Sequence, residues 1–205
     1  DAGLVKSLEK PETNVTGTSD AAPLDRQLEL LKNLIPDAQK IGILYNTSER
    51  NSEIQVEMAK KLADSFGIEI IASGVTSTNE VPQALDSLMN KIDVLYVPTD
   101  NLIASAIAIV SEKCIENNIP IIGSEKGQVE GGALATEGID YYKLGFQTGI
   151  MAVEVLEGAS TKDMPVETLK DTTLTINMDT AEKLNIEIPK EMLERAEIVK
   201  GGAVQ

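Results

Sequence analysis

Apolar residues along this chain fall into two alternating patterns. Short, near-continuous runs stop abruptly in polar clusters, and longer stretches with helical apolar spacing follow them. The runs read Ile41-Gly-Ile-Leu-Tyr45 into Asn46-Thr47-Ser48, and Val94-Leu-Tyr-Val97 into Pro98-Thr99-Asp100-Asn101. Two more are Ile119-Pro-Ile-Ile122 into Gly123-Ser124-Glu125, and Ala133-Leu-Ala135 into Thr136-Glu137-Gly138. Runs of that length suit parallel strands buried on both faces. Ligands sit outside the carboxyl ends of the strands in an open parallel sheet, so the four clusters predict one functional rim.

The intervening stretches predict the helices. Leu24, Leu28, Leu31 and Leu34 make one apolar face over 24–34, and Ile54, Met58, Leu62 and Phe66 make another over 52–66, capped by Asn51 or Ser52 and closed by Gly67. Ile68–Ile71 reads as a strand; Thr78-Asn79-Glu80 caps a helix carrying Val81, Leu85, Leu88 and Met89. Helices over 101–116 and near 125–130 complete the alternation up to the strand at 133–136. Such regular alternation predicts an open parallel sheet with helices on both faces. After Gly138 the pattern changes to a long helix at Tyr141–Leu156, short β segments at 165–168 and 173–176, a short helix capped by Asp179-Thr180, and another that Ile188-Pro189 opens through Arg195. At the other end, residues 3–10 have helical spacing up to the break at Pro11. Asp1-Ala-Gly-Leu-Val5 reads like the middle of a helix, so the chain looks like a mature or truncated product.

Composition narrows the chemistry. The 205 residues allow one large domain or two small ones, and a formal net charge of −15 repels nucleic acid and anionic membrane surfaces. Histidine is absent, which removes the Ser-His-Asp triad and most transition-metal sites. The lone cysteine, Cys114, lies among Ile109, Val110 and Ile115 and reads as a buried, inert thiol. No apolar run is long enough to span a bilayer, and no signal peptide is visible.

Candidate chemistry therefore sits on the rim. Asn46-Thr47-Ser48-Glu49-Arg50-Asn51-Ser52 offers hydroxyls, amides and a helix N-terminus to a carboxylate or phosphate, or simply caps the helix. Asp100 either caps the helix at Asn101 or pairs with an ammonium or hydroxyl group; Glu137 and Asp140 add acceptors beside Tyr141 and Tyr142. No G-x-x-x-x-G-K-[ST] loop and no G-x-G-x-x-G after a strand is present, so neither a P-loop nor a dinucleotide fold is expected. A flavodoxin-like FMN electron carrier and a phosphoacceptor switch domain built on Asp100 are the alternatives. The first is opposed by 3% aromatics and by the lack of glycine in Asn46–Ser52. The second lacks an acidic pair after the strand at 41–45.

With these residues in hand, the chain resembles the ABC-transporter substrate-binding proteins, in particular the subgroup linked to tryptophan or tyrosine uptake. The resemblance is carried by Leu4-Val-Lys-Ser-Leu-Glu-Lys-Pro11 with Asn14-Val-Thr-Gly17, Leu28-Glu-Leu-Leu31 with Ile35-Pro36, and Ile41-Gly-Ile-Leu-Tyr-Asn46. Val97-Pro-Thr-Asp-Asn101, Gly131-Gly-Ala-Leu-Ala135, Asp140-Tyr-Tyr-Lys-Leu-Gly145 with Gln147-Thr-Gly149, and Ile188-Pro189 extend it in order. It implies a periplasmic-binding type I fold with flavodoxin-like lobes joined by a three-segment hinge. It also implies a periplasmic or lipoprotein address, no catalysis, no cofactor or metal, and delivery of a small ligand, an aromatic amino acid, to a permease with an ATPase subunit.

By position, the resemblance makes 1–20 a remnant of the first lobe and its crossing, 21–137 the second lobe, 138–163 a helix belonging to the first lobe, and 164–205 a return to the second. Most of the first lobe would lie upstream of this sequence, and the apolar face of the helix at 141–157 would need a cover. Ser19, Asp20 and Asp140 would lie at crossings, while Tyr45, Asn46, Thr99, Asp100, Asn101, Ser124 and Glu137 would line the cleft. Ser48 and its neighbours through Ser52 would take the ligand carboxylate, and Asp100 or Glu137 the ammonium.

Overall fold

The buried apolar runs become strands of a parallel sheet in a computed structural model that describes residues 3–21, 23–169 and 171–202. The chain forms two units: Asp1–Ala21 with Ile139–Thr172 (unit 1), and Ala22–Gly138 with Thr173–Gln205 (unit 2). It passes between them at 21/22, 138/139 and 172/173.

In unit 1, strand β1 (Thr18–Ser19) leads to the first passage. Unit 2 then alternates α1 (Leu24–Leu34), β2 (Lys40–Asn46), α2 (Arg50–Phe66) and β3 (Glu69–Val75). A 3-10 turn at Thr78–Glu80 runs into α3 (Val81–Met89), followed by β4 (Val94–Val97), α4 (Asn101–Ser105), α5 (Ile107–Glu116), β5 (Ile121–Gly123), α6 (Lys126–Glu130) and β6 (Ala135–Ile139). Unit 1 resumes with α7 (Tyr141–Leu156) and β7 (Glu167–Thr168). Then β8 (Thr172–Asn177), α8 (Met178–Lys183), α9 (Lys190–Arg195) and β9 (Glu197–Val199) return to unit 2.

The larger sheet is ordered β3-β2-β4-β5-β6-β8-β9. Its β2/β3, β2/β4, β4/β5, β5/β6 and β8/β9 pairings are parallel. Two cores cover its two faces. Ile41, Ile43, Val94, Tyr96 and Ile122 pack with Leu28 and Leu31 of α1, Val56 and Ala59 of α2, and Met192 of α9. Leu44, Leu95, Val97 and Ile121 pack with Leu85 of α3, Ile103 of α4, Val110 and Cys114 of α5, and Val129 of α6. Successive strand side chains point to opposite faces, so both faces must be apolar here.

One consequence positions the site. From β2 the chain passes through α2 on one face to β3 at the sheet edge, whereas from β4 it passes through α4 and α5 on the other face to β5. The loops after β2 and β4 therefore diverge, which makes their carboxyl ends the switch point where open α/β sheets bind ligands.

Several local expectations change. Residues 3–10 are bends and not a helix, because their backbone groups bond laterally: Leu8 O accepts Val166 N–H at 2.7 Å and Leu4 O accepts the Thr13 hydroxyl at 2.8 Å. Asp1 and Ala2 lie outside the described residues. The helix expected over 101–116 divides at Ala106 (φ −101°, ψ 5°) into α4 and α5. Asn177, not Asp179, caps α8, by accepting Thr180 N–H. Residues 164–172 stay in unit 1 and do not return at 164, because Glu167–Thr168 pairs with Thr18–Ser19.

Within unit 1, Leu144 and Met151 of α7 are buried, whereas Tyr142, Phe146, Val153 and Leu156 are exposed. A hollow of about 510 Å³ beside this helix is lined by Val15, Thr148, Met151 and Val155, among others.

Candidate functional site

Asp100 organises the switch point. It is 2% exposed, and its carboxylate accepts Asn46 N–H at 2.6 Å, the Ser52 hydroxyl at 2.7 Å and Ile103 N–H at 3.0 Å. The last bond is the N-cap of α4, so the capping role is realised. The other two tie the end of β2 and the first turn of α2 to the end of β4.

Glu49 performs the reciprocal task. Its carboxylate accepts Asn101 N–H (3.1 Å), Asn101 Nδ2 (2.9 Å), Leu102 N–H (3.3 Å) and Asn46 Nδ2 (3.0 Å). Burial pushes its pKa up, but those donors together outweigh it and hold the carboxyl below the ordinary glutamate value. Asn46 also accepts Ser48 N–H at 2.9 Å, shaping the turn out of β2. Glutamines brace the same rim: Gln55 accepts Thr99 N–H at 3.3 Å, and Gln128 donates to Pro98 O at 3.0 Å while accepting Ser124 N–H at 2.8 Å.

The rim residues named from sequence thus separate by burial. Asn46, Asp100 and Ser124 are buried struts, Tyr45 and Thr99 are half-buried, and Ser48 and Asn101 are exposed. Glu137 is elsewhere: its carboxylate is held bidentately by Arg195 of α9 at 3.0 and 2.9 Å, beside a hollow of about 230 Å³ whose lining includes Arg26, Glu29 and Asn33. Both carboxylates suggested for a ligand ammonium are therefore engaged inside unit 2. The three remaining residues belong to unit 1. Ser19 lies in β1 and accepts Ala21 N–H, Asp20 accepts the Tyr141 hydroxyl at 3.3 Å, and Asp140 caps α7 by accepting Tyr142 and Lys143 N–H.

Glu49, Gln128 and Arg195 were not singled out from sequence. The Asn46-x-x-Glu49 spacing, a relative of the capping box, was a signal for the first. Helix α2 also starts at Arg50, earlier than the expected Asn51 or Ser52 cap, which frees Ser52 to reach Asp100.

The arrangement is one of hydrogen-bonding groups braced against one another at the carboxyl ends of β2 and β4. The model of the ABC transporter substrate binding protein family matches residues 1–200. The chain belongs to that family. A tyrosine-binding protein of Clostridioides difficile (strain R20291) is 55% identical over 187 residues, 91% of this chain and 54% of that protein. A ligand-free, open structure of a substrate binding protein with adhesive properties from Clostridium difficile matches at 53% identity, covering 97% of this chain and 67% of that one, with a TM-score of 0.80. An ABC domain from Streptococcus pneumonia in complex with L-Trp matches at 41% identity, 96% and 67% coverage and a TM-score of 0.90. The family fold is thus the periplasmic-binding type I fold, and family and relatives are binding proteins, not enzymes. The chain spans about half the length of the curated relatives it matches.

Proposed function

We propose that this chain belongs to an extracytoplasmic solute receptor, periplasmic or lipid-anchored, that binds an aromatic amino acid. The receptor hands it unchanged to an ABC permease driven by an ATPase subunit. The observation that carries this reading is the match of 96% of the chain, at 41% identity, to a protein crystallised with L-Trp. The tyrosine-binding relative supports the same ligand class. Neither the flavin carrier nor the phosphoacceptor gains support, and Asp100, enclosed by three donors, is poorly placed to accept a phosphoryl group.

In this reading the half-buried and exposed rim groups, Tyr45, Ser48, Thr99 and Asn101, meet the amino acid. Asn46, Asp100 and Ser124 hold them in place; Ser19, Asp20, Asp140 and Glu137 act at the passages between units. Calorimetric titration with L-tyrosine and L-tryptophan tests the ligand class, with saturable heat expected from at least one. No heat and no thermal shift with either would sink it. Ser48→Ala should weaken binding by about three- to tenfold, the worth of one hydrogen bond, at an unchanged melting temperature; Asn101→Ala should weaken it similarly with a small loss of stability, because its Nδ2 also donates to Glu49. Surface labelling of intact cells, compared with lysed cells, tests the address.

A further inference from the structure

Gln27 is a fully buried amide on the apolar face of α1, and its partner is a backbone. Its Nε2 donates to Glu137 O at 3.0 Å and its Oε1 accepts Glu137 N–H at 3.1 Å, with Thr136 Oγ1 at 3.3 Å from Nε2. One side chain thus satisfies both peptide groups of Glu137, as a neighbouring strand would. Arg195 holds the same residue by its carboxylate. The next residue, Gly138, is the last of unit 2 and is closely surrounded: a Cβ there would lie 3.2 Å from Ser124 O and 3.4 Å from Glu125 Cα. Two residues on, Asp140 is fixed as the cap of α7.

We infer that Gln27 and Arg195 form a clamp that fixes the end of β6, so that Glu137 stays seated on unit 2 where the chain leaves it at 138/139. Helix α1 opens directly after the passage at 21/22, so through Gln27 the same helix grips the strand that leaves by the second passage. The two passages are thereby mechanically coupled, and Gln27 is a positioning residue for both. The functional consequence rests on the binding reading above: the clamp sets how far the passages flex when ligand binds. A relative is known in a ligand-free, open structure, so open states occur in this family.

Hydrogen exchange on the full chain tests this, with and without L-tyrosine or L-tryptophan. Gln27→Met keeps the volume and removes both bonds. It should accelerate exchange of the Glu137 amide by about tenfold while amides of β2 and β4 stay unchanged. Arg195→Ala, a change at a half-exposed side chain, should accelerate the same amide by a smaller factor and serves if Gln27→Met does not fold. An unchanged Glu137 amide in the folded variants overturns the clamp. So does faster exchange throughout unit 2, which would make Gln27 merely a core residue. If neither amino acid alters exchange in the parent protein but Gln27→Met frees Glu137, the clamp stands and the binding reading falls. If the amino acids protect the parent and Gln27→Met is silent, the clamp falls and the binding reading stands.

Discussion

The Asp100 carboxylate accepts the backbone N–H of Asn46 at 2.6 Å across 54 residues of sequence. That bond joins the ends of β2 and β4 where their following helices leave on opposite faces of the sheet. It braces the switch point, and its removal has calculable effects.

Asp100→Ala leaves two buried N–H groups and a buried hydroxyl without their acceptor and strips the cap from α4. The expected loss is about 3 kcal/mol in urea unfolding. A loss under about 1 kcal/mol would show that water or neighbours replace the carboxylate.

Glu49→Gln should reveal a pH-dependent contribution. The carboxyl is held below its ordinary value in the folded chain, so its stabilisation is fully present above the ordinary glutamate range and is lost as pH falls through the folded value. The stability gap between parent and variant should therefore be largest near neutrality and shrink below about pH 4. A gap that stays constant down to acid pH would remove Glu49 from this role.

Gly123→Ala should act through a different side chain. An added Cβ would lie 2.6 Å from Gln128 Oε1 and 3.1 Å from its Cβ. The amide cannot swing aside without breaking its bonds to Ser124 and Pro98, so a loss of about 1–3 kcal/mol is expected. Thermal unfolding of Gly123→Ala alone and combined with Gln128→Leu checks this; additive losses would show the two positions to be uncoupled.

Cys114 is fully buried, and burial pushes its thiol up to about 12 despite Lys113 beside it. Maleimide at pH near 8 should leave the native thiol unlabelled while a urea-unfolded control labels completely. Rapid native labelling would show that α5 opens locally.

The legible parts of the fold were those set by near neighbours in sequence. Leu24, Leu28, Leu31 and Leu34 mark α1 to its ends because a helix buries one stripe, and the run at 94–97 marks β4 because a central parallel strand buries both faces. Residues 3–10 misled for the converse reason: helical spacing was present, but Val166 and Thr13 bind the carbonyls a helix would need. Ala106 divides a stretch whose apolar spacing continues on both sides, so periodicity carried no mark of the break.

For the site, sequence allowed two roles for Asp100, a cap or a ligand group, and put four polar clusters at strand ends; three lie there, but Thr136-Glu137-Gly138 falls inside β6. Gln27 was not singled out from sequence, and its partner lies 110 residues away. The identity of that partner follows from strand order, which no local pattern encodes.

By itself, the sequence determined an open parallel sheet, most of its helices, its lack of histidine chemistry and its family resemblance. These depend on residue type and on spacing within a few turns of chain. Only the tertiary structure decided that β2 and β4 flank the switch point, that Asp100 and Glu49 are spent on bracing it, and that Glu137 serves Arg195 and Gln27. Those outcomes depend on which strand ends become neighbours, and the polar atoms buried there must then find partners across the sheet.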